Sequence, residues 1–263
     1  MFAAFFGSFF PSPESRLSDR WVAPVVASQP DPDDLDHDGR PDDILVGTSA
    51  SDVWHAGLGN DQLRGRDGND RIFGDDGNDV IAGDEGNDQL EGGAGNDTVL
   101  GGSGNDIVRG DDGTDRLSGE SGNDIVDGGA GNDRISGGSG NDIITGGAGR
   151  DVVSGEAGAD IFVFNEGDFA SASPDRADCI TDFNHGQADT IDLTDIDANT
   201  RAAGEQWFTF LGDKAFTGRP GQLRYEAFGN GVVVLADTNG DRLADFAIRL
   251  DNVTKLVETD FIL

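Results

Sequence analysis

The stretch GGAGNDTVL (residues 92–100), followed at once by GGSGNDIVR (101–109), sets a nine-residue step that decides how this chain reads. From Gly47 the step continues without insertion or deletion to Val163, giving thirteen units. Their sixth position is always aspartate: Asp52, Asp61, Asp70, Asp79, Asp88, Asp97, Asp106, Asp115, Asp124, Asp133, Asp142, Asp151 and Asp160. Their eighth is always apolar: Trp54, Leu63, Ile72, Ile81, Leu90, Val99, Val108, Leu117, Val126, Ile135, Ile144, Val153 and Phe162. A flexible Gly/Ser linker needs no carboxylate and aliphatic residue locked in phase, so the pattern argues for structure.

Each unit divides into six turn-forming residues and three of strand character. Glycine supplies positive φ and close backbone approach in the turn, and three residues suffice for a short strand with one side chain facing inward. Two units then make an 18-residue rung. Thirteen units stack to roughly 30 Å at about 4.8 Å per strand. A core with one aliphatic residue in nine is too thin to offset an ordering cost of about 1 to 2 kcal/mol per residue. Stacking also brings the aspartates together, one above another, where they repel unless a cation lies between them. Hard oxygen donors in a flexible turn point to calcium; magnesium demands strict octahedral geometry and retains its waters.

Composition fits the same picture. The 263 residues include 41 glycines, 18 Lys+Arg and 51 Asp+Glu, for a net charge of −33. Residues 47–163 hold −17 of it. No apolar run approaches the roughly 20 residues of a membrane span, and the negative field disfavours nucleic acid and anionic membranes as partners. A single cysteine, Cys179, forms no intramolecular disulfide and lies in a strand-like segment.

The repeat resembles GGxGxDxUx, the nonapeptide of the RTX or haemolysin-type calcium-binding family. The resemblance implies an all-β fold: a right-handed parallel β-roll with a C-terminal β-rich cap. It implies calcium ions between the turns of units i and i+2, held by the sixth-position aspartates and by carbonyls of the glycine-rich positions. Here those are Gly57, Gly59, Gly68, Gly77, Gly86, Gly93, Gly95, Gly102, Gly104, Gly113, Gly122, Gly129, Gly131, Gly138, Gly140, Gly147 and Gly149. Thirteen units allow at most about eleven such ions, one for each pair of units i and i+2. Departures lower that number: GTSASDVWH (47–55) lacks glycine at its second and fourth positions, and the second unit begins with Ala56. Second-position glycine gives way to Arg66, Asp75, Asp84, Asp111, Glu120 and Glu156, either as extra ligands or as a solvated edge, and Arg66 is the change expected to weaken a site.

Three regions follow: an apolar N-terminus with a Pro/Asp-rich linker (1–46), the roll (47–163) and the cap (164–263). In the last, DCITDFNHGQADTIDL (178–193), DTNGDRLADFAIRL (237–250) and the final DFIL are similar to the tail of serralysin-type metalloproteases, which implies C-terminal, uncleaved type I export. The final residues read equally well as the last strand of the cap. MFAAFFGSFF lacks a basic n-region, so no N-terminal signal peptide is expected. Its phenylalanines point to packing on the roll or self-association, and contact with a cell surface is a further expectation. Two loops have oxygen-ligand spacing: Asp34, Asp36 and Asp38, and Asp237, Asn239, Asp241 and Asp245. The first has Leu45 at its twelfth position, and the second has Arg242 where glycine is usual.

No H-E-x-x-H, G-x-S-x-G or P-loop motif occurs, and 46 residues ahead of the roll are too few for a separate enzyme domain. The expectation is therefore a secreted, non-catalytic calcium-binding protein that folds on meeting extracellular calcium, with the type I secretion machinery as its partner during export. The alternative is a calcium-binding module that serves a separate hydrolase, metalloprotease or epimerase subunit.

Overall fold

In the computed structural model, which describes residues 42–169, 171–204 and 206–263, the three-residue x-U-x segments form the strands and the glycine-rich segments turn the chain between them. Alternate units go to opposite sheets. Even-numbered units supply strands such as Gln62–Asp67, Val80–Glu85 and Thr98–Ser103 to a twelve-stranded sheet. Odd-numbered units supply Arg71–Phe73, Gln89–Ala94 and Ile107–Gly113 to an eleven-stranded one. Pairing is parallel throughout the repeats at an offset of 18 residues, as in Leu63↔Ile81 and Val108↔Val126. The all-β parallel solenoid of about seven turns agrees with the fold expected from the repeat.

The eighth-position side chains fill the space between the sheets. All thirteen are buried and belong to one continuous core. That core extends past the repeats through Leu45, Ile180 and Ile191. Each is the third residue of an Asp-x-apolar triplet: Asp43-Ile44-Leu45, Asp178-Cys179-Ile180 and Asp189-Thr190-Ile191. Their strands join the same ladders, with Leu45↔Leu63, Val153↔Ile180 and Phe162↔Ile191 in register.

Residues 164–263 change the chemistry of the interior. Phe164, Phe169, Phe246 and Phe208 form a chain of ring contacts, with centroids 5.7, 4.0 and 5.8 Å apart, at the end of the aliphatic column. The twelve-stranded sheet turns antiparallel here, as Phe246–Leu250 pairs with Gly231–Asp237 and that strand with Gln222–Phe228. Gly229 and Asn230 form the two-residue hairpin loop, with Gly229 at φ 59°. The segment Phe261–Ile262 pairs parallel with Thr190–Asp192 and closes the edge of the other sheet. A solenoid end needs such cover to keep its core from water.

The only helix among the described residues is the short 3₁₀ turn Glu258–Asp260, and no described helix is long and apolar enough to cross a membrane. Asp34, Asp36, Asp38 and the Phe-rich N-terminus lie outside the described residues.

Candidate metal centre

The turns place every sixth-position aspartate between two rungs. From Asp61 to Asp160 one oxygen, Oδ1, accepts the backbone N–H of the aspartate one rung below. Asp79, Asp97, Asp115 and Asp133 form one such run, at 2.7 to 2.8 Å. A second run on the opposite side passes through Asp70, Asp88, Asp106 and Asp124, also at 2.7 to 2.8 Å. The other oxygen, Oδ2, is buried and without a hydrogen-bond partner in Asp61, Asp70, Asp79, Asp88, Asp97, Asp106, Asp115, Asp124, Asp133, Asp142, Asp151 and Asp160. A buried carboxylate oxygen with no donor is expensive, and twelve of them in two columns call for a common cause.

Electrostatics point the same way. Burial pushes the carboxyls of Asp61 and Asp106 up to about 7, and that of Asp151 up to about 8. Those of Asp79, Asp88, Asp97, Asp133, Asp142 and Asp160 rise to about 6. Loss of water is the main cause in each case. The N–H donated from the rung below opposes it, and neighbouring acids add to it. Two carboxylates at the strand spacing of about 4.8 Å repel by about 3 to 4 kcal/mol in a partly screened setting, which a cation between them would turn into attraction.

The backbone supplies the remaining donors. Over Gly101, the Asp106 Oδ2 and the Gly119 carbonyl of the next rung converge: a methyl carbon built there would lie 2.6 Å from the first and 2.7 Å from the second. The same pair of groups crowds the first-position glycine of every unit from the third to the tenth. These carbonyls belong to first-position glycines, which reading the sequence did not nominate. Hard carboxylate and carbonyl oxygens, within reach of distances of about 2.3 to 2.6 Å, suit calcium. Among the described residues no three His, Cys, Asp or Glu side chains form a metal cluster. The oxygens that converge are one carboxylate per turn and backbone carbonyls, not a knot of side chains.

The glycines divide by physical role. Gly57, Gly93, Gly102, Gly129, Gly138 and Gly147 hold φ of 86° to 113° at the second position. Arg66, Asp75, Asp84, Asp111, Glu120 and Glu156 hold φ of 65° to 77° at the same position. The second position therefore tolerates a side chain at some backbone strain. At the fourth, a Cβ would overlap the carbonyl of the fourth-position glycine one rung below, as at Gly104 over Gly86. Ala50, in the first unit, has no described fourth-position residue beneath it.

The second-position acids lie over the outer face. Asp84 pairs with Arg64, Asp75 faces the His55 Nδ1 at 3.3 Å, and Glu156 accepts the Ser136 hydroxyl at 2.7 Å. Their partners are ninth-position side chains 20 residues earlier.

Two further features escaped the sequence reading. The fifth-position asparagines form their own ladder in the opposite sense, each Oδ1 accepting the N–H one rung above, as Asn69 does from Asn87 at 2.9 Å. Asp43, Asp178 and Asp189 continue the aspartate columns, since Asp151 donates to Asp178 at 2.8 Å and Asp160 to Asp189 at 3.2 Å. The Asp-x-apolar triplet was the available signal.

The first unit departs in the expected place. Asp52 Oδ2 accepts the Thr48 N–H at 2.8 Å and the Thr48 hydroxyl at 3.1 Å, so the threonine in place of second-position glycine fills the need left open elsewhere. In the cap, Asp237, Asn239, Asp241 and Asp245 are brought together, but their oxygens accept from the loop itself. Asp237 takes the N–H groups of Gly240 and Arg242, and Asp245 takes those of Thr238 and Asn239. Cys179 is buried, and its thiol is pushed up to about 11, chiefly by burial. His185 bridges Asp260 at 2.7 Å and the Lys255 carbonyl at 3.0 Å, which ties the approach to the last strand to the loop between Asp178–Ile180 and Thr190–Asp192.

Comparison with known families gives the geometry a name. The model of the RTX calcium-binding nonapeptide repeat matches in overlapping windows, 42–72, 55–90, 73–108, 82–117, 109–144 and 136–168. Residues 42–168 carry RTX calcium-binding repeats. The match begins at residue 42, ahead of Gly47, and the aspartate columns likewise reach back to Asp43. No curated protein matches the chain. Thirty-three chains of solved structures match. One is the solution structure of the AlgE6R3 subunit from the Azotobacter vinelandii mannuronan C5-epimerase: 24% identical, covering 67% of this chain and 77% of that one, with a TM-score of 0.32. At that score nothing further about this chain follows from the likeness.

Proposed function

We propose that this is an extracellular, non-catalytic calcium-binding protein whose RTX roll forms on loading calcium after type I export. The observation that carries the reading is the double column of buried Oδ2 atoms with no donor. In this reading the sixth-position aspartates and the turn carbonyls hold the ions, and calcium supplies the positive charge that lets the carboxylates stack. Units three to ten, in which Oδ2 is without a donor and meets a first-position carbonyl, are the eight best-formed turns.

Because the sites do not exist in an unfolded chain, binding free energy becomes folding free energy. Extracellular modules of this kind bind at roughly 10⁻⁴ to 10⁻³ M, so scarce intracellular calcium leaves the acidic chain open for export. The cap covers the last rung and favours the transition.

Two measurements test the proposal. Calorimetric titration should show several calcium ions bound per chain and much weaker binding of magnesium; equal magnesium binding would refute the calcium reading. Deleting Phe261–Leu263 should abolish appearance in the medium of a host carrying a type I exporter. Normal yields would confine those residues to their role as the last strand.

A further inference from the structure

The first-position glycines are not explained by backbone conformation, because none of them holds a left-handed φ. They are explained by space. At Gly101 a methyl would sit 2.6 Å from Asp106 Oδ2 and 2.7 Å from the Gly119 carbonyl, and at Gly92 2.5 Å from Asp97 Oδ2 and 2.9 Å from the Gly110 carbonyl. Both are closer than a carbon can approach these oxygens. The chain contains one exception. Ala56 opens the second unit, and it is buried, so its methyl has no route to solvent. Its backbone keeps the common register, donating to the Phe73 carbonyl at 2.9 Å just as Gly74 donates to Glu91 at 2.9 Å. A rung also stands above it, beginning at Gly74. The absence of a neighbour that excuses Ala50 at a fourth position therefore does not apply.

We infer that the size of the first-position residue decides whether a turn takes an ion, and that Ala56 leaves the turn of Asp61 without one even though Asp61 Oδ2 is as buried and donorless as its neighbours. The methyl stands where Asp61 Oδ2 and the Gly74 carbonyl would otherwise converge. The roll then starts with two turns unlike the rest: the first has its aspartate oxygen satisfied by Thr48, and the second is blocked by Ala56. Ion loading begins at the third unit and runs toward the cap.

The inference rests on the calcium reading above, and counting ions separates the two. Full-length protein is saturated with calcium, freed of excess by gel filtration and examined by native mass spectrometry. Ala56→Gly should carry one calcium more than the wild type, whereas Ala56→Ser, which keeps a side chain, should carry the same number as the wild type. Gly101→Ala should lose at least one. Ala56→Gly removes atoms and restores the repeat, so it remains a test even if Gly101→Ala does not fold. An unchanged count in Ala56→Gly, or an equal gain in Ala56→Ser, overturns the inference while leaving calcium binding intact. A wild type that carries no calcium would instead overturn the reading beneath it.

Discussion

The roll and the cap share the same two sheets but hold them together by different means. In the roll, one aliphatic side chain per nine residues is buried, and the turns stack carboxylates that lack donors. In the cap, phenylalanines pack ring on ring and strands turn antiparallel. In the proposed reading the roll is a scaffold for ions that it also requires, whereas the cap continues the same core with aromatic packing. Substitutions should therefore act through calcium in one region and through packing in the other.

The largest contrast is expected between two glycines. Gly104→Ala places a methyl on the Gly86 carbonyl one rung below, and the rungs cannot separate without breaking the ladder. Calcium titration followed by circular dichroism should show the midpoint raised by tenfold or more, or the transition lost. Gly212 in the cap also has positive φ, 66°, but has no neighbour within 4 Å of a Cβ. Gly212→Ala should cost only about 1 kcal/mol, read from the melting of the calcium-loaded protein. Similar effects at both sites would erase the distinction between stacked and open turns.

Next in size is the cap core. Phe246 lies between Phe169 and Phe208, and Phe246→Ala should destabilise the calcium-loaded protein by about 3 to 5 kcal/mol in denaturant melts. Asp97→Asn and Asp115→Asn, one rung apart in a single column, should each raise the calcium midpoint. Together they should depart from additivity by more than about 0.5 kcal/mol, because Asp115 Oδ1 accepts the Asp97 backbone N–H at 2.8 Å and so holds the two carboxylates on adjacent rungs. Strict additivity would show that the rungs load independently.

Acid should separate the regions further. Burial raises the carboxyls of Asp97, Asp106 and Asp151 to about 6, 7 and 8, above the ordinary carboxylate range, so the calcium-free roll takes up protons on forming. Its stability is therefore greatest in acid and falls as pH rises through about 4 to 8. Calcium competes with those protons, so its apparent affinity should weaken as pH falls below about 6, by about tenfold per unit for each proton displaced. Titrations at pH 5 and 7.5 check the direction; a midpoint that does not move would mean the ions do not meet these carboxylates. The smallest effect is expected at Glu120, held at φ 69°: Glu120→Gly should stabilise the loaded roll by no more than about 1 kcal/mol.

Phase made the repeats legible. A nine-residue step with an inward aliphatic residue leads to alternating strands and one column of core, and Leu63↔Ile81 shows the register it implies. Asp178 and Asp189 were not legible because the chain reaches them after 27 and 29 residues instead of 18, with the glycine context gone. The role of the first-position carbonyls was hidden because a sequence shows side chains and not the oxygens of the backbone. The loop from Asp237 to Asp245 illustrates a true ambiguity: alternating Asp and Asn serve a cation or the loop's own amides equally well, and here they serve the amides.

The central claim is that the ions and the fold are one event. Its most direct test follows β content and hydrodynamic radius while calcium is added to chelated protein, with magnesium as the control. The chelated protein should be an expanded, strand-poor chain that becomes compact and β-rich in one cooperative step with calcium and not with magnesium. A chelated protein already as compact and as β-rich as the loaded one would contradict it.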